Sequence, residues 1–180
     1  MEIFERYHAW LVSENANVNL ISRRTESGDI WTVHFLDSLL PIKHMDFSGH
    51  SVLDFGTGGG LPGIPIAIMF GDAEVTLLDS KKKKIAAVRG AAEHLGLKNC
   101  RFCDNRIEEA AGAQFDLIVS RSVKIEPAYK PILLNLLKPQ GKIILYKSKI
   151  LDDVRQFGNY EIFDASTREL GERKIVVVTK

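Results

Sequence analysis

Residues 54–63 read DFGTGGGLPG, and they follow a short apolar run that has the character of a β-strand. Five of these ten residues are glycine, whereas a tight turn needs only one or two. Gly58, Gly60 and Gly63 match the G-x-G-x-x-G pattern of nucleotide-binding loops, although a glycine-rich stretch matches it easily by chance. This stretch therefore predicts a strand-to-helix loop whose backbone approaches a ligand closely.

Short apolar runs alternate with helical segments around and beyond this loop. Runs rich in Val, Ile and Leu indicate strands at 51–55, 74–79, 99–104, 115–120, 142–147, 159–165 and 174–180. Helical spacing indicates crossover helices at 65–70, 81–96 and 128–141. This alternation predicts an α/β fold, with helices on both faces of a mostly parallel seven-stranded sheet. The last two runs are separated by polar residues without a helical pattern, which predicts an antiparallel last strand.

The N-terminal region has the spacing of apolar residues that is typical of helices. Apolar residues recur at helical spacing in 1–11 and again in IWTVHFLDSLLPI at 30–42. A chain of 180 residues fits one domain. We therefore predict a single domain, 1–180, with an N-terminal helical extension at 1–47 and a Rossmann-like core at 48–180.

Composition excludes several classes of protein. The net charge is +1, 45% of residues are hydrophobic and 26% are charged, which is ordinary for a soluble globular protein and excludes a strongly basic nucleic-acid coat. No signal peptide and no apolar run of bilayer length is visible, so a cytoplasmic location is expected. Cys100 and Cys103 lie in a predicted strand, where residues three apart face opposite ways. They are therefore interpreted as ordinary thiols, and no metal site is predicted.

Two acidic residues bear on the identity of the ligand. Asp79 ends the second predicted strand, where it can accept hydrogen bonds from both hydroxyls of an adenosine ribose or cap the next helix. Asp54 ends the first strand, and its carboxylate is expected to face the ligand. A carboxylate there would repel a pyrophosphate, but it suits the ammonium and sulfonium of S-adenosylmethionine. The charges therefore favour S-adenosylmethionine over NAD(P), with a nucleoside triphosphate last because no Walker A lysine follows the glycines.

Seven blocks of sequence carry a family resemblance. They are HFLDSLL at 34–40, DFGTGGGLPGIPIAI at 54–68, LLDSKKKK at 77–84, RIEE at 106–109, VSRSV at 119–123, LKPQGK at 137–142 and GERKIVVV at 171–178. Together they resemble the RsmG family, also called glucose-inhibited division protein B. The resemblance implies a Rossmann-like class I S-adenosylmethionine-dependent methyltransferase that methylates N7 of a guanine in 16S rRNA of the small ribosomal subunit. Ser122 stands where the family commonly has alanine, and the N-terminal region is short for the family.

The resemblance also implies roles for individual residues. Gly56 and Leu61 would line the cofactor site, Ile107 and Glu108 would meet the adenine, and Arg121 would lie beside the cofactor and the incoming base. The complete predicted cofactor-binding set, including the residues chosen from the loop and its acids, is Asp54, Gly56, Gly58, Leu61, Asp79, Ile107, Glu108 and Arg121. The predicted catalytic set is Arg121, Arg173 and His34.

The residues after the fourth predicted strand are consistent with a methyl acceptor that needs no catalytic base. Residues 120–123 read SRSV, without the Asn or Asp and paired prolines typical of enzymes that methylate exocyclic amines. N7 of guanine has a lone pair and no proton, so its methylation needs positioning rather than a general base. Arg121 can hold the guanine O6 or a phosphate, or form a surface salt bridge.

Basic residues indicate an RNA partner, though less sharply. Lys81–Lys84 open a predicted helix where cations oppose the helix dipole, which favours either an anionic partner or a solvated face. Further basic residues near predicted strand ends or in loops are Arg23, Arg24, Arg121, Lys124, Lys147, Lys149, Arg173 and Lys174. We expect 16S rRNA in the small subunit as the partner, no membrane partner, and a monomer.

Two alternative functions belong to other classes. A nicotinamide-dependent oxidoreductase would use a similar sheet and glycine loop, and it would bind NAD(P) in place of S-adenosylmethionine. A non-catalytic ribosome-binding or assembly factor would keep the fold without transferring a methyl group.

Overall fold

A computed structural model describes residues 1–22, 25, 29–110, 112 and 114–180 of the chain. The strands are β1 (Ser51–Phe55), β2 (Glu74–Leu78), β3 (Cys100–Cys103), β4 (Phe115–Arg121), β5 (Leu137–Lys147), β6 (Tyr160–Asp164) and β7 (Lys174–Thr179). The α-helices are α1 (Glu2–Asn15), α2 (Asp37–Leu39), α3 (Gly63–Met69), α4 (Lys82–Leu95) and α5 (Tyr129–Asn135). A π-helix, Ile30–Leu36, leads into α2, and 3-10 helices span Leu40–Lys43 and Ile107–Glu109. None of the helices in these described ranges is long and apolar enough to cross a membrane.

The seven strands form one sheet in the order β3-β2-β1-β4-β5-β7-β6. The pairs among β1 to β5 are parallel, and β7 runs antiparallel to both β5 and β6. The predicted mostly parallel sheet with an antiparallel last strand is therefore confirmed. Strand order reverses between β1 and β4, and the carboxyl ends of neighbouring strands at such a point border a crevice suited to ligands.

Both faces of the sheet are buried, which explains the near-continuous apolar strands. On one face, α1, α3 and α4 pack against the sheet in a cluster that includes Tyr7, Leu11 and Val88. On the other face the cluster includes Leu133 of α5 together with Val154 and Phe157 from the turns between β5 and β6. The N-terminal helix thus shares its core with the sheet.

The third crossover helix is shorter than its sequence pattern predicts. The pattern extends to residue 141, but α5 ends at Asn135 and β5 begins at Leu137. Pro139 lacks a backbone N–H and disfavours a helical conformation in the residue before it, so these residues join the strand. The pairing shifts register between Phe115 and Leu117 of β4 and resumes regularly at Lys142 of β5.

Candidate functional site

A cavity of about 630 Å³ opens at the carboxyl ends of β1, β2 and β4. Eight of the predicted site residues line it: His34, Gly56, Gly58, Leu61, Asp79, Ile107, Glu108 and Arg121. Asp54 lies outside the wall because it is completely buried, and Arg173 lines a neighbouring cavity. Sequence blocks that are far apart in the chain therefore meet at one edge of the sheet.

The glycine loop requires its glycines for conformation and for space. Gly56, Gly58 and Gly60 have φ values of 78°, 58° and 88°, a region that side chains disfavour. A Cβ on Gly56 would lie 2.4 Å from Val123 Cγ2, so the loop touches the residues that follow β4. The amides of Gly56 and Thr57 each donate to Leu78 O at 2.9 Å, which fastens the loop to the end of β2.

Asp54 lies beneath the loop and not against the ligand space, contrary to the expectation from sequence. Its Oδ2 accepts hydrogen bonds from Thr57 Oγ1 at 2.6 Å and from Gly63 N at 2.8 Å. Among the described residues Oδ1 has no partner. Burial raises the pKa of Asp54 to about 6, against the effect of the hydrogen bonds from Thr57 and Gly63. Because Thr57 and Gly63 both donate hydrogen bonds to this carboxylate, Asp54 affects the site by fixing the conformation of the glycine loop.

Asp79 accepts hydrogen bonds from backbone amides but does not cap α4, whose N-cap is Lys81 and has no side-chain hydrogen bond. It lines the cavity, and its Oδ2 accepts a hydrogen bond from Gly58 N at 3.1 Å. Its Oδ1 accepts from Lys81 N at 2.9 Å, just before α4 begins. Each carboxylate oxygen keeps a further lone pair, so these two bonds leave Asp79 able to accept hydrogen bonds from ligand hydroxyls.

Arg121 ends β4 and is held by the N-terminal region. Its Nη1 donates to Asp37 Oδ2 at 3.0 Å and to His34 O at 3.3 Å. The side chains of Arg121 and Asp37 are only 10% and 8% exposed. The solvated surface salt bridge considered from sequence is therefore replaced by a buried ion pair, in which the loss of one partner would leave an uncompensated charge.

A second cavity of about 630 Å³ adjoins the first. Arg121, Ser122 and Val123 line both cavities, so the end of β4 forms their common wall. Arg173 and Lys124 also line the second cavity. The same cavity is also lined by Lys147 and by the carboxylates of Asp37, Asp152 and Asp153, so its wall carries charges of both signs.

His34 is neutral and lies on the wall of the first cavity. Burial, followed by the charge of Arg121, lowers the pKa of His34 to about 4. Its Nδ1 lies 3.3 Å from Arg121 Nη2, and because guanidinium can only donate, Nδ1 accepts. The proton of the neutral ring is therefore on Nε2, which has no partner among the described residues. With no free lone pair, His34 is not suited to act as a general base.

The N-terminal region supplies a wall that sequence reasoning missed. Asn19, Leu20, Ile21 and Ser22 line the first cavity. The Asn15 side chain accepts hydrogen bonds from the amides of Leu20 and Ile21 at 2.8 and 3.0 Å. The sequence NVNLISRR at 17–24 predicts a loop or turn, but it carries no signal that residues 19–22 border the cavity.

The basic residues predicted to contact RNA lie in different environments. Arg23 and Arg24 lie outside the described residues. Lys81 and Lys84 line the first cavity. Three other lysines pair with carboxylates: Lys124 with Glu126, Lys147 with Asp153 and Lys174 with Glu172. Of these three pairs only that of Lys147 is buried, at 10% exposure, so its role is structural.

The two cysteines lie on opposite faces of β3, as the strand periodicity predicts. Cys100 packs against one core cluster and Cys103 against the other, and both are free thiols. Burial raises the pKa of Cys100 to about 12, which makes it a poor nucleophile. Within the described part of the chain, no group of three or more His, Cys, Asp or Glu side chains is arranged to hold a metal ion.

The chain is similar to known proteins in both sequence and structure. The sequence profile of the GidB family, described as rRNA small subunit methyltransferase G, matches residues 1–170. A ribosomal RNA small subunit methyltransferase G from Chlorobaculum tepidum is 40% identical over 154 residues, which cover 85% of this chain and 70% of that protein. The protein of the same name from Chlorobium limicola is 36% identical over 152 residues, 84% of this chain and 69% of its own.

The structural comparison supports the fold. The crystal structure of a ribosomal protein L11 methylase from Lactobacillus delbrueckii subsp. bulgaricus matches with a TM-score of 0.67, at 18% identity, over 80% of this chain and 77% of that one. The predicted class I methyltransferase fold and the predicted family resemblance are both confirmed. On the strength of the profile match and the 40% identical relative, the chain belongs to the GidB family, rRNA small subunit methyltransferase G.

Proposed function

We propose that this chain transfers a methyl group from S-adenosylmethionine to N7 of a guanine in 16S rRNA of the small ribosomal subunit. Membership of the GidB family makes it a methyltransferase, and relatives at 40% and 36% identity carry the name of an rRNA enzyme. The single observation that carries the proposal is the cavity at the switch point of the sheet, which joins the glycine loop, Asp79 and Arg121.

The first cavity suits S-adenosylmethionine, which supplies an activated methyl group on a sulfonium. Asp79 would accept hydrogen bonds from the ribose hydroxyls, and Ile107 with Glu108 would border the adenine. Gly56 and Leu61 would contact the rest of the molecule from the glycine loop. Asp54 contributes by fixing that loop, since its carboxylate holds Thr57 and Gly63. A nicotinamide-dependent oxidoreductase receives no support from the comparisons.

The residues around Arg121 fit an acceptor atom without a proton. In the proposed transfer the N7 lone pair forms the new N–C bond, the C–S bond breaks, and the cofactor leaves as a thioether. No proton leaves N7, so no general base is needed, and His34 has no lone pair free to serve as one. Arg121 lines both cavities and would position the base beside the methyl group.

The second cavity would receive the RNA. Arg121, Arg173 and Lys124 line it, and phosphates or a guanine O6 are ligands that such side chains bind. We further propose one domain, 1–180, in which the extension 1–47 completes a site built mainly on the core 48–180. A monomer in the cytoplasm is the form proposed for the active protein.

The test is incubation of the purified chain with labelled S-adenosylmethionine and small subunits from cells that lack this methylation. We expect label in 16S rRNA, and aniline cleavage at 7-methylguanosine should map it to one guanine. Label at another atom, or in protein, would refute the proposed acceptor. Cofactor binding without methyl transfer would favour a non-catalytic ribosome-binding factor, and binding of NAD(P) alone would favour an oxidoreductase.

A further inference from the structure

One buried carboxylate joins the two arginines of the site. Asp37 Oδ2 accepts from Arg121 Nη1 at 3.0 Å, and Asp37 Oδ1 accepts from Arg173 Nε at 2.8 Å. Asp37 is the first residue of α2, and its partners lie 84 and 136 positions away in the chain. Both arginines line the second cavity, and only Arg121 also lines the first.

Charge makes this arrangement sensitive to Asp37. Two guanidinium groups share one carboxylate, and the side chains of Arg121 and Asp37 are 10% and 8% exposed. Arg173 is 28% exposed, so water screens it only in part. Without the carboxylate, the two cations would repel each other and Arg121 would be left buried without its counter-charge.

The hydrogen bonds also define orientation. Arg173 donates from Nε to Asp37 and from Nη1 to Glu172 O at 2.9 Å, so two edges of its guanidinium plane are engaged. Arg121 is engaged through Nη1 by Asp37 and through Nη2 by His34. Asp37 thus sets the plane of one guanidinium at each cavity, while its own side chain is shielded from solvent.

We propose that Asp37 is a positioning residue that orients Arg121 toward the cofactor and Arg173 toward the RNA. This inference rests on the proposed function for the identity of the two ligands. Asp37 itself borders the second cavity, but its side chain is only 8% exposed and both of its carboxylate oxygens accept from the arginines, so no contact with either ligand is assigned to it. Its effect on binding arises from the arginines that it holds.

Asp37→Asn is the main test, because it keeps the size of the side chain and replaces one acceptor oxygen with a donor that faces a guanidinium. We expect the Kd for S-adenosylmethionine and the KM for small subunits each to rise by about tenfold or more, as for the loss of a buried charge pair. Asp116→Asn is the matched control. Asp116 also accepts from a lysine and from Ser51, and it lines neither cavity.

Arg173→Gln should raise only the KM for small subunits, since Arg173 does not line the first cavity. In that background Asp37→Asn should still raise the Kd for S-adenosylmethionine as far as it does alone, but it should raise the KM less than it does in the wild-type chain, because only Arg121 is left to be misplaced. This pattern separates positioning from a general loss of stability, which would change both constants in every background. A folded Asp37→Asn protein with wild-type Kd and KM would overturn the inference.

Arg173→Lys provides a test if Asp37→Asn does not fold. Lysine keeps the charge but lacks the planar fork that Asp37 and Glu172 O orient. Positioning predicts that its KM rises as far as that of Arg173→Gln, and a wild-type KM would refute the role of Asp37. If the wild-type chain binds S-adenosylmethionine but methylates no RNA, the proposed function fails. The Asp37 inference is then decided by cofactor affinity, which requires no RNA.

Discussion

At the scale of single residues, Gly63 shows how the glycine loop depends on close packing. It is the first residue of α3, and a Cβ there would lie 2.2 Å from Leu77 Cδ2 and 2.7 Å from Asp54 Oδ2. Gly63→Ala should lower the free energy of unfolding by about 1–3 kcal/mol, as overpacking does. It should also weaken cofactor binding, because Asp54 would have to release the loop. Urea denaturation and calorimetry with S-adenosylmethionine measure the two effects.

Gly90→Ala is the control for that change. Gly90 lies within α4, and a Cβ there would meet nothing within 4 Å. Alanine is the better helix former, so this variant should be unchanged or stabilised by up to about 1 kcal/mol. Equal losses in the two variants would show that the effect at Gly63 does not come from contact with Leu77 and Asp54.

At the scale of elements, α1 supports the glycine loop. Tyr7 of α1 is fully buried, and its hydroxyl donates to Gly59 O in the glycine loop at 2.6 Å. Tyr7→Phe would leave that carbonyl buried without this partner, at a cost of about 1–3 kcal/mol. We expect lower stability and a higher Kd for S-adenosylmethionine, measured by thermal denaturation and calorimetry.

Val12 offers a matched control on the same helix. Val12 is 41% exposed, and it lies on a different side of α1 from Tyr7, which contacts the glycine loop. Val12→Ala should leave cofactor affinity at the wild-type value. If Tyr7→Phe also binds the cofactor normally, the contact from α1 does not support the loop, and the N-terminal extension serves only the core.

At the scale of the whole molecule, two buried groups make opposite contributions to the pH dependence of stability. The pKa of His34 falls from 6.5 to about 4 on folding, so between these values the unfolded state binds more protons and this contribution to stability is lost as pH falls. The pKa of Asp54 rises from 3.8 to about 6, so the folded state binds more protons and this contribution is lost as pH rises. The two effects oppose each other between about pH 4 and pH 6.

Single variants should expose each effect. Relative to wild type, the stability of His34→Gln should fall as pH rises from about 4 to about 6, because the variant lacks the His34 contribution, which grows with pH. The stability of Asp54→Asn relative to wild type should rise over the same interval, because the variant lacks the Asp54 contribution, which declines as pH rises. Urea denaturation at several pH values gives the free energies, and subtraction of the wild-type curve removes the other titrating groups. Slopes of the same sign would contradict the assignment.

The sheet was predictable because its signals are local. Strands buried on both faces need runs of Val, Ile and Leu whatever lies around them, and α4 ends at Gly96 in a left-handed conformation that glycine accepts readily. The end of α5 was not predictable to the residue, because the pairing of Leu137 with Phe115 is set by a partner strand. Turns between β5 and β6 fill the core with Val154 and Phe157 without any regular pattern.

The sequence by itself determined the family, the order of strands and helices, the glycine loop, and the placing of Asp79 and Arg121 at strand ends. These features follow from residue type and short-range spacing, which do not depend on contacts between distant parts of the chain. Only the tertiary structure decided that Asp54 lies under the loop, that residues 19–22 wall the cavity, and that Asp37 joins Arg121 to Arg173. Those outcomes depend on contacts between distant parts of the chain, where burial and charge pairing select the partner.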